Sequence, residues 1–168
     1  MVRAYRWHMP KHPVEQPDWI DTAPITVTES VDIAASPAVV WSLVADHASW
    51  PEWFTALDRV EPLGAPTGVG GGRRVIAGRV RIDEEFTAWD EEEHFAFSVV
   101  HSGIPVLHAL AESVRLEPSE AGTLVTYHQG VQGRPGFGWL MGQAWKKPAR
   151  DLRTALEQLR GRAESIEA

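Results

Sequence analysis

Cysteine is absent from the 168-residue chain. Its absence excludes disulfides, thiolate metal sites and a cysteine nucleophile, and leaves the redox compartment unmarked. Basic charge is scarce too: 16 Lys and Arg stand against 23 Asp and Glu, a formal charge of -7, and the basic residues are scattered. Such a chain has no evident electrostatic footprint for a polyphosphate, so nucleic acid is not an expected partner. No stretch approaches the roughly 18 apolar residues of a membrane span. The opening MVRAYRWHMPKHPVEQPDW lacks the apolar core of a signal peptide, and the expected location is the cytoplasm. The GxSxG elbow, the HExxH pair and the P-loop are missing. Gly68, Gly70, Gly71 and Gly72 break the GxGxxG spacing because Arg73 stands where the last glycine is needed. No cofactor and no metal is expected.

What is present suits one globular domain. With 43% hydrophobic and 23% charged residues, a chain of this length can bury about two-thirds of its unfolded surface. Residues 1–24 mix Pro10, Pro13, Pro17 and Pro24 with charge and with Tyr5, Trp7 and Trp19, without helical or strand period. They are expected to form an extended arm, either a tail over the surface or a gate or dimer strap. From Ile25 to Ala34 apolar residues occupy odd positions, which predicts a half-buried strand. Ser36 and Pro37 then open a helix running to about Asp46, with Ser36 as the expected cap and Val40, Leu43 and Val44 as its apolar face. A short turn follows through Trp50, Pro51, Trp53 and Phe54.

Strands are predicted over 57–63, 73–80, 81–90, 94–101, 107–117 and 123–132, with a bend at Gly78. Beyond Pro135, Trp145, Ala149, Leu152, Leu156 and Leu159 recur at steps of four, three, four and three, one stripe of a long helix. Pro148 predicts a kink or a break within it.

The stretches VDIAASPAVVWSLVADHASWPEWF, EEFTAWDEEEHFAF and GTLVTYHQGV, in this order, resemble the polyketide cyclase/dehydrase and lipid-transport family of the SRPBCC, START-like superfamily over about residues 25–163. The resemblance implies an α+β helix-grip fold, in which a curved antiparallel sheet of about seven strands wraps a long C-terminal helix. It implies an apolar cavity between the two, and hence a hydrophobic small molecule as partner. It also allows a homodimer. In such proteins the glycine-rich hairpin often borders the cavity entrance. The implied division is an arm at 1–24, a START-like domain at 25–163 and a C-terminal tail at 164–168.

Strand parity then sorts the polar residues. Glu84 shares a face with Ile82 and Phe86; His101 with Phe97 and Val99; His108 and Glu112 with Leu110; Tyr127 and Gln129 with Val125 and Val131. Closing the hairpins by constant residue sums sets Glu84 opposite Val99 and diagonal to His101, His101 opposite His108, and Glu112 opposite Tyr127. Two polar clusters are therefore expected in an apolar cavity: Glu84, His101 and His108, and Glu112 with Tyr127. The candidate ligand-binding residues are Phe86, Phe97, Val99, Leu110, Glu112, Gln129, Met141 and Trp145. In a cyclase or dehydratase, Glu84, His101, His108 and Tyr127 are the catalytic candidates, a histidine abstracting a proton beside a carbonyl while Tyr127 or Glu112 polarises the oxygen. The competing arrangement has a bulge at Glu84 and Glu85 turning Glu84 to water, with the two histidines at an exposed hairpin end. Two histidines and a carboxylate can also bind a divalent metal, but no ligand spacing here supports it. Binding of a hydrophobic ligand ranks first, cyclase or dehydratase activity second, and an interaction module using the arm and the tryptophan-rich helices third.

Overall fold

The computed structural model describes residues 9–168; Tyr5 and Trp7 of the arm lie outside them. Seven strands form one antiparallel sheet: β1 (Ile25–Ile33), β2 (Arg59–Pro62), β3 (Gly72–Ala77), β4 (Val80–Asp90), β5 (His94–Ser102), β6 (Leu107–Pro118) and β7 (Thr123–Gly133). Their spatial order is β1-β7-β6-β5-β4-β3-β2, a run of hairpins closed at one edge by the first strand. Gly78, with φ of 59°, makes the β3–β4 turn at the expected bend, a left-handed conformation that favours glycine. Helix α1 (Pro37–Ala45) and a 3₁₀ turn at His47–Glu52 link β1 to β2. Ser36 does not cap α1 through its side chain; its hydroxyl donates instead to Glu167 at 3.1 Å, near the C-terminus of the long helix.

The C-terminal helical region is two segments, α2 (Gly138–Ala144) and α3 (Lys146–Glu167), which meet at Trp145. Pro148 falls in the first turn of α3, where backbone N–H groups have no intrahelical partner and a missing donor costs little. Leu152, Ala155, Leu156, Leu159 and Ala163 of α3 are buried, packed with Val31, Ile33 and the aromatic residues of the 3₁₀ turn and β5. The helix continues through Glu167, taking in all but the last residue of the tail expected at 164–168.

The arm is built into the sheet. His12 N donates to Val100 O at 2.8 Å and Ser102 N donates to Pro10 O at 3.3 Å. The His12 ring joins Ser102 Oγ at 2.8 Å and His108 O at 3.0 Å. The arm therefore occupies the space between the ends of β5 and β6, whose own pairing covers only His94–Ser98 against Ala111–Arg115. A second 3₁₀ turn (Pro17–Thr22) then crosses β6 and β7. It approaches so closely that a Cβ on Gly130 would lie 2.8 Å from Ile20 Cα.

Candidate functional site

Between the sheet and the helices lies a cavity of about 430 Å³. Its apolar wall comes from Val75, Ile82, Phe97, Leu110 and the ring of Trp50; Lys147, Pro148 and Asp151 of α3 line its other side. Two polar clusters interrupt the wall, and β5 lies between them in the sheet. Val99 of β5 is opposite Glu84 of β4, and Phe97 of β5 is opposite Glu112 of β6. Glu84 and Glu112 are thus two strand spacings and two residues apart, about 12 Å along the backbone grid.

The first cluster is an ion pair. Arg73 Nε donates to Glu84 Oε2 at 2.5 Å, and both side chains are buried, 1% and 7% exposed. The pairing Arg73↔Glu84 across β3 and β4 fixes it. The guanidinium carbon sits 3.8 Å from the Trp50 ring centroid and 4.6 Å from that of Phe97, so aromatic faces replace much of the lost hydration. Arg73 Nη1 lies 3.0 Å from His47 Nδ1. Guanidinium can only donate, so His47 accepts at Nδ1 and carries its proton on Nε2. Burial, with the Arg73 charge adding to it, lowers the His47 pKa to about 3 and keeps the ring neutral. Burial raises Glu84 above the usual carboxylate range, and Arg73 opposes that shift.

The second cluster holds a carboxyl among neutral donors. The Tyr127 hydroxyl donates to Glu112 Oε2, and Gln129 Nε2 donates to Glu112 Oε1 at 3.1 Å. Gln129 Oε1 in turn accepts from Trp145 Nε1 at 3.1 Å, so the chain of bonds runs from β6 to the junction of α2 and α3. Burial, then the nearby Glu84 charge, pushes the Glu112 pKa to about 7 against the pull of the two donors. Burial and Glu112 hold Tyr127 well above its ordinary value, as the neutral phenol.

The expected site residues divide. Glu84, Phe97, Leu110, Glu112, Tyr127, Gln129 and Trp145 line the cavity. Phe86 packs instead among His47, Trp89 and Phe95. Val99 and Met141 are buried together in a smaller apolar cluster beside the cavity. Glu84 is opposite Val99 as expected, but Val100 is an extra residue in β5, so His101 pairs with Asp83, a neighbour on the opposite face of β4 from Glu84. His101 also bridges Lys11 of the arm, not His108, because the arm has taken that place; His108 is exposed. The expected cluster of Glu84 with two histidines is therefore not formed. Glu112 faces Gln129 and not Tyr127, since the hairpin closes at Pro118↔Thr123; the two-residue slip keeps the face, and Tyr127 still reaches Glu112 diagonally. The glycine-rich stretch is absent from the cavity lining, and Gly70 and Gly71 bond to Phe86, prolonging the β3–β4 pairing.

Arg73 and His47 escaped the sequence reading. Arg73 shares its parity with Val75 and Ala77 on the predicted strand, the same signal that singled out Glu84. His47, in the link after α1, has no such periodic signal. Among the described residues no group of three or more His, Asp or Glu side chains is placed to hold a metal ion. No helix among them is long and apolar enough to cross a membrane.

Comparisons with known proteins bear on the family and the fold. The model of the family described as polyketide cyclase / dehydrase and lipid transport matches residues 24–164. Uncharacterized proteins of Mycobacterium tuberculosis and Mycobacterium bovis are 30% identical over 137 residues, 77% of this chain and 72% of theirs. Among solved structures, the Zhui aromatase/cyclase of a Streptomyces species has TM-score 0.69 at 20% identity, covering 83% of this chain and 93% of that one. A START superfamily protein of Mycobacterium smegmatis has TM-score 0.59 at 18% identity, covering 80% and 98%. These structural likenesses establish the START-like helix-grip fold, and with the match along almost the whole domain the chain belongs to the polyketide cyclase/dehydrase and lipid transport family.

Proposed function

We propose that this protein binds a hydrophobic, aromatic, polyketide-like or lipid-like small molecule whose apolar body lies along Phe97, Leu110 and Ile82 and whose polar end meets Glu112 and Tyr127. The observation that carries the reading is the cavity of about 430 Å³, whose sheet wall is apolar except for the Arg73–Glu84 and Glu112–Tyr127–Gln129 clusters, with Lys147 and Asp151 on the α3 side. Its volume falls among those of small-molecule sites, and a few convergent polar groups in an apolar wall are what orients a ligand. At its raised pKa of about 7, Glu112 can present either a carboxylate to a donor or a proton to a carbonyl. Native mass spectrometry beside the denatured protein tests this, with a retained small molecule as the expected result. Because Trp50 and Trp145 line the cavity, added ligand should also change tryptophan fluorescence. No adduct, and no fluorescence change across fatty acids, sterols and aromatic polyketides, would overturn the proposal.

A second reading rests on the same carboxyl. A base in an apolar cavity with a pKa near neutrality is suited to proton transfer beside a carbonyl. In a cyclase or dehydratase, ionised Glu112 takes the proton from carbon and, once protonated, returns it to the leaving hydroxyl as water departs, while Tyr127 or Arg73 stabilises the oxyanion. No histidine among the described residues lines the cavity, so the base is the glutamate. Glu112→Gln should then abolish turnover of a poly-ketone surrogate while ligand affinity changes little; unchanged turnover leaves only the binding role.

A further inference from the structure

The chain's acidic excess is unevenly spread. None of the 23 acidic residues lies between Glu120 and Asp151, a span that contains Arg134, Lys146, Lys147 and Arg150. In its middle, Arg134 through Leu140, the sequence RPGFGWL, is exposed residue after residue. Phe137 is 46% exposed, Trp139 74% and Leu140 37%, three large apolar side chains within four positions. Of the other exposed large hydrophobics among the described residues, Val14 and Ile166 stand alone on their segments, and Leu63 and Val69 are six positions apart in the β2–β3 loop. The depression beside α2 is lined by Pro24, Ile25, Gln132, Arg134 and glycines, with no carboxylate.

Clustered aromatic and aliphatic side chains in water are unfavourable unless something covers them, and Trp and Phe flanked by Lys and Arg match the chemistry of a lipid–water interface. Basic residues near an anionic bilayer add electrostatic attraction that salt screens. We propose that α2 and its leading loop dock this protein onto an anionic lipid surface, with Phe137, Trp139 and Leu140 entering the headgroup region and Arg134, Lys146 and Arg150 meeting lipid phosphates. The same helix contributes buried Met141 to the apolar cluster beside the cavity and leads into Trp145, which lines the cavity.

The test is pelleting of the full-length protein with phosphatidylcholine vesicles containing or lacking 30% phosphatidylglycerol. The pellet reads residence on the surface, whereas a lipid taken into the cavity leaves the protein in the supernatant, so failure here is separable from failure of the ligand-binding reading. The expected result is pelleting with the anionic vesicles that weakens from 0.1 to 0.5 M NaCl. Trp139→Ala should weaken the partition on the order of tenfold, as loss of one inserted aromatic side chain implies. Lys146→Gln with Arg150→Gln should weaken it at low salt only. Because Trp139 is exposed, these variants should keep the wild-type circular dichroism, which is measured alongside. No pelleting with anionic vesicles overturns the proposal, as does pelleting indifferent to Trp139→Ala. A dimer in light scattering that Trp139→Ala dissociates would assign the patch to a second copy of the chain instead.

Discussion

Two buried glutamates face one cavity, and their surroundings make them opposites. Glu84 is compensated by a cation, Arg73, held between aromatic faces and itself tied to a neutral histidine. Glu112 is bonded by neutral donors alone, Tyr127 and Gln129, and feels the Glu84 charge more strongly than that of Arg73. A paired charge in an apolar place is a structural commitment, since removing either partner strands the other. A carboxyl bonded by neutral donors can gain or lose its proton near neutral pH without leaving a charged partner unpaired, which makes it the group available to a ligand. Arg73→Met tests the first half of this contrast. It leaves Glu84 buried without its cation and should destabilise the fold by about 3–5 kcal/mol in urea unfolding. Adding Glu84→Met should restore much of that loss, because the stranded charge goes as well. A single variant as stable as wild type would show that the pair is not structural.

The two titrating groups give the contrast a pH dependence of opposite signs. The Glu112 pKa is raised from 4.5 to about 7, so the folded state holds a proton that the unfolded state releases between these values. Stability from this group is full below about pH 4.5 and falls as pH rises through 7, by roughly 3 kcal/mol at 1.36 kcal/mol per unit. His47 is lowered from 6.5 to about 3, so its contribution is full above pH 6.5 and is lost as pH falls toward 3. His12 and His94, also lowered by burial, act with the same sign as His47. In the wild type the slopes oppose each other between pH 4.5 and 6.5. Glu112→Gln should remove its own share of the alkaline loss, leaving only that of Glu84, whose pKa burial also raises, so that the profile falls less toward alkaline pH than in wild type; the Tyr127 hydroxyl can turn from donor to acceptor to meet the new amide. Urea midpoints across pH 4–8 read the difference. Identical wild-type and Glu112→Gln profiles would mean that Glu112 titrates normally.

Much of this site is legible in strand parity, because parity survives errors of register by two. Glu112, Tyr127, Gln129 and Glu84 all sit on the cavity face, although Glu112 is opposite a different residue from the one expected. His101 shows the limit of the method. One extra residue at Val100 turns it to the other face, and the arm, nearly 90 residues away in sequence, takes the pairing place that local hairpin closure assigned to His108. Bulges and long-range strand insertions depend on the assembled sheet and leave no mark in the alternation of one strand. A second bulge, at Thr87, likewise moves Trp89 onto the inner face, where it packs edge-on against Phe95, 5.5 Å between ring centroids. Arg73 was within reach of parity, although it directly follows Gly70, Gly71 and Gly72, where the strand alternation has only begun.

The smallest effect tests how far the neutral-donor cluster reaches. Trp145 Nε1 donates to Gln129 Oε1, and Trp145 is the residue at which α2 ends and α3 begins. Trp145→Phe keeps an aromatic ring on the cavity wall and removes only the N–H, so Gln129 loses one partner while its bond to Glu112 remains. The expected cost is about 1 kcal/mol, the net worth of one hydrogen bond. If the bond chain acts as a unit, the freed Gln129 amide loses its fixed orientation, its donor to Glu112 weakens, and the Glu112 pKa rises further, because a hydrogen bond to the charged form is what lowers it. Carbon-13 NMR of the Glu112 carboxyl across pH reads that shift directly. An upward move in Trp145→Phe, alongside that small loss of stability, would show that the helix junction tunes the carboxyl; an unmoved titration would confine the cluster to Glu112, Tyr127 and Gln129. The ion pair offers a control within the same cavity, since Trp145 makes no bond to Arg73 or Glu84 and their stability contribution should be the same in both proteins.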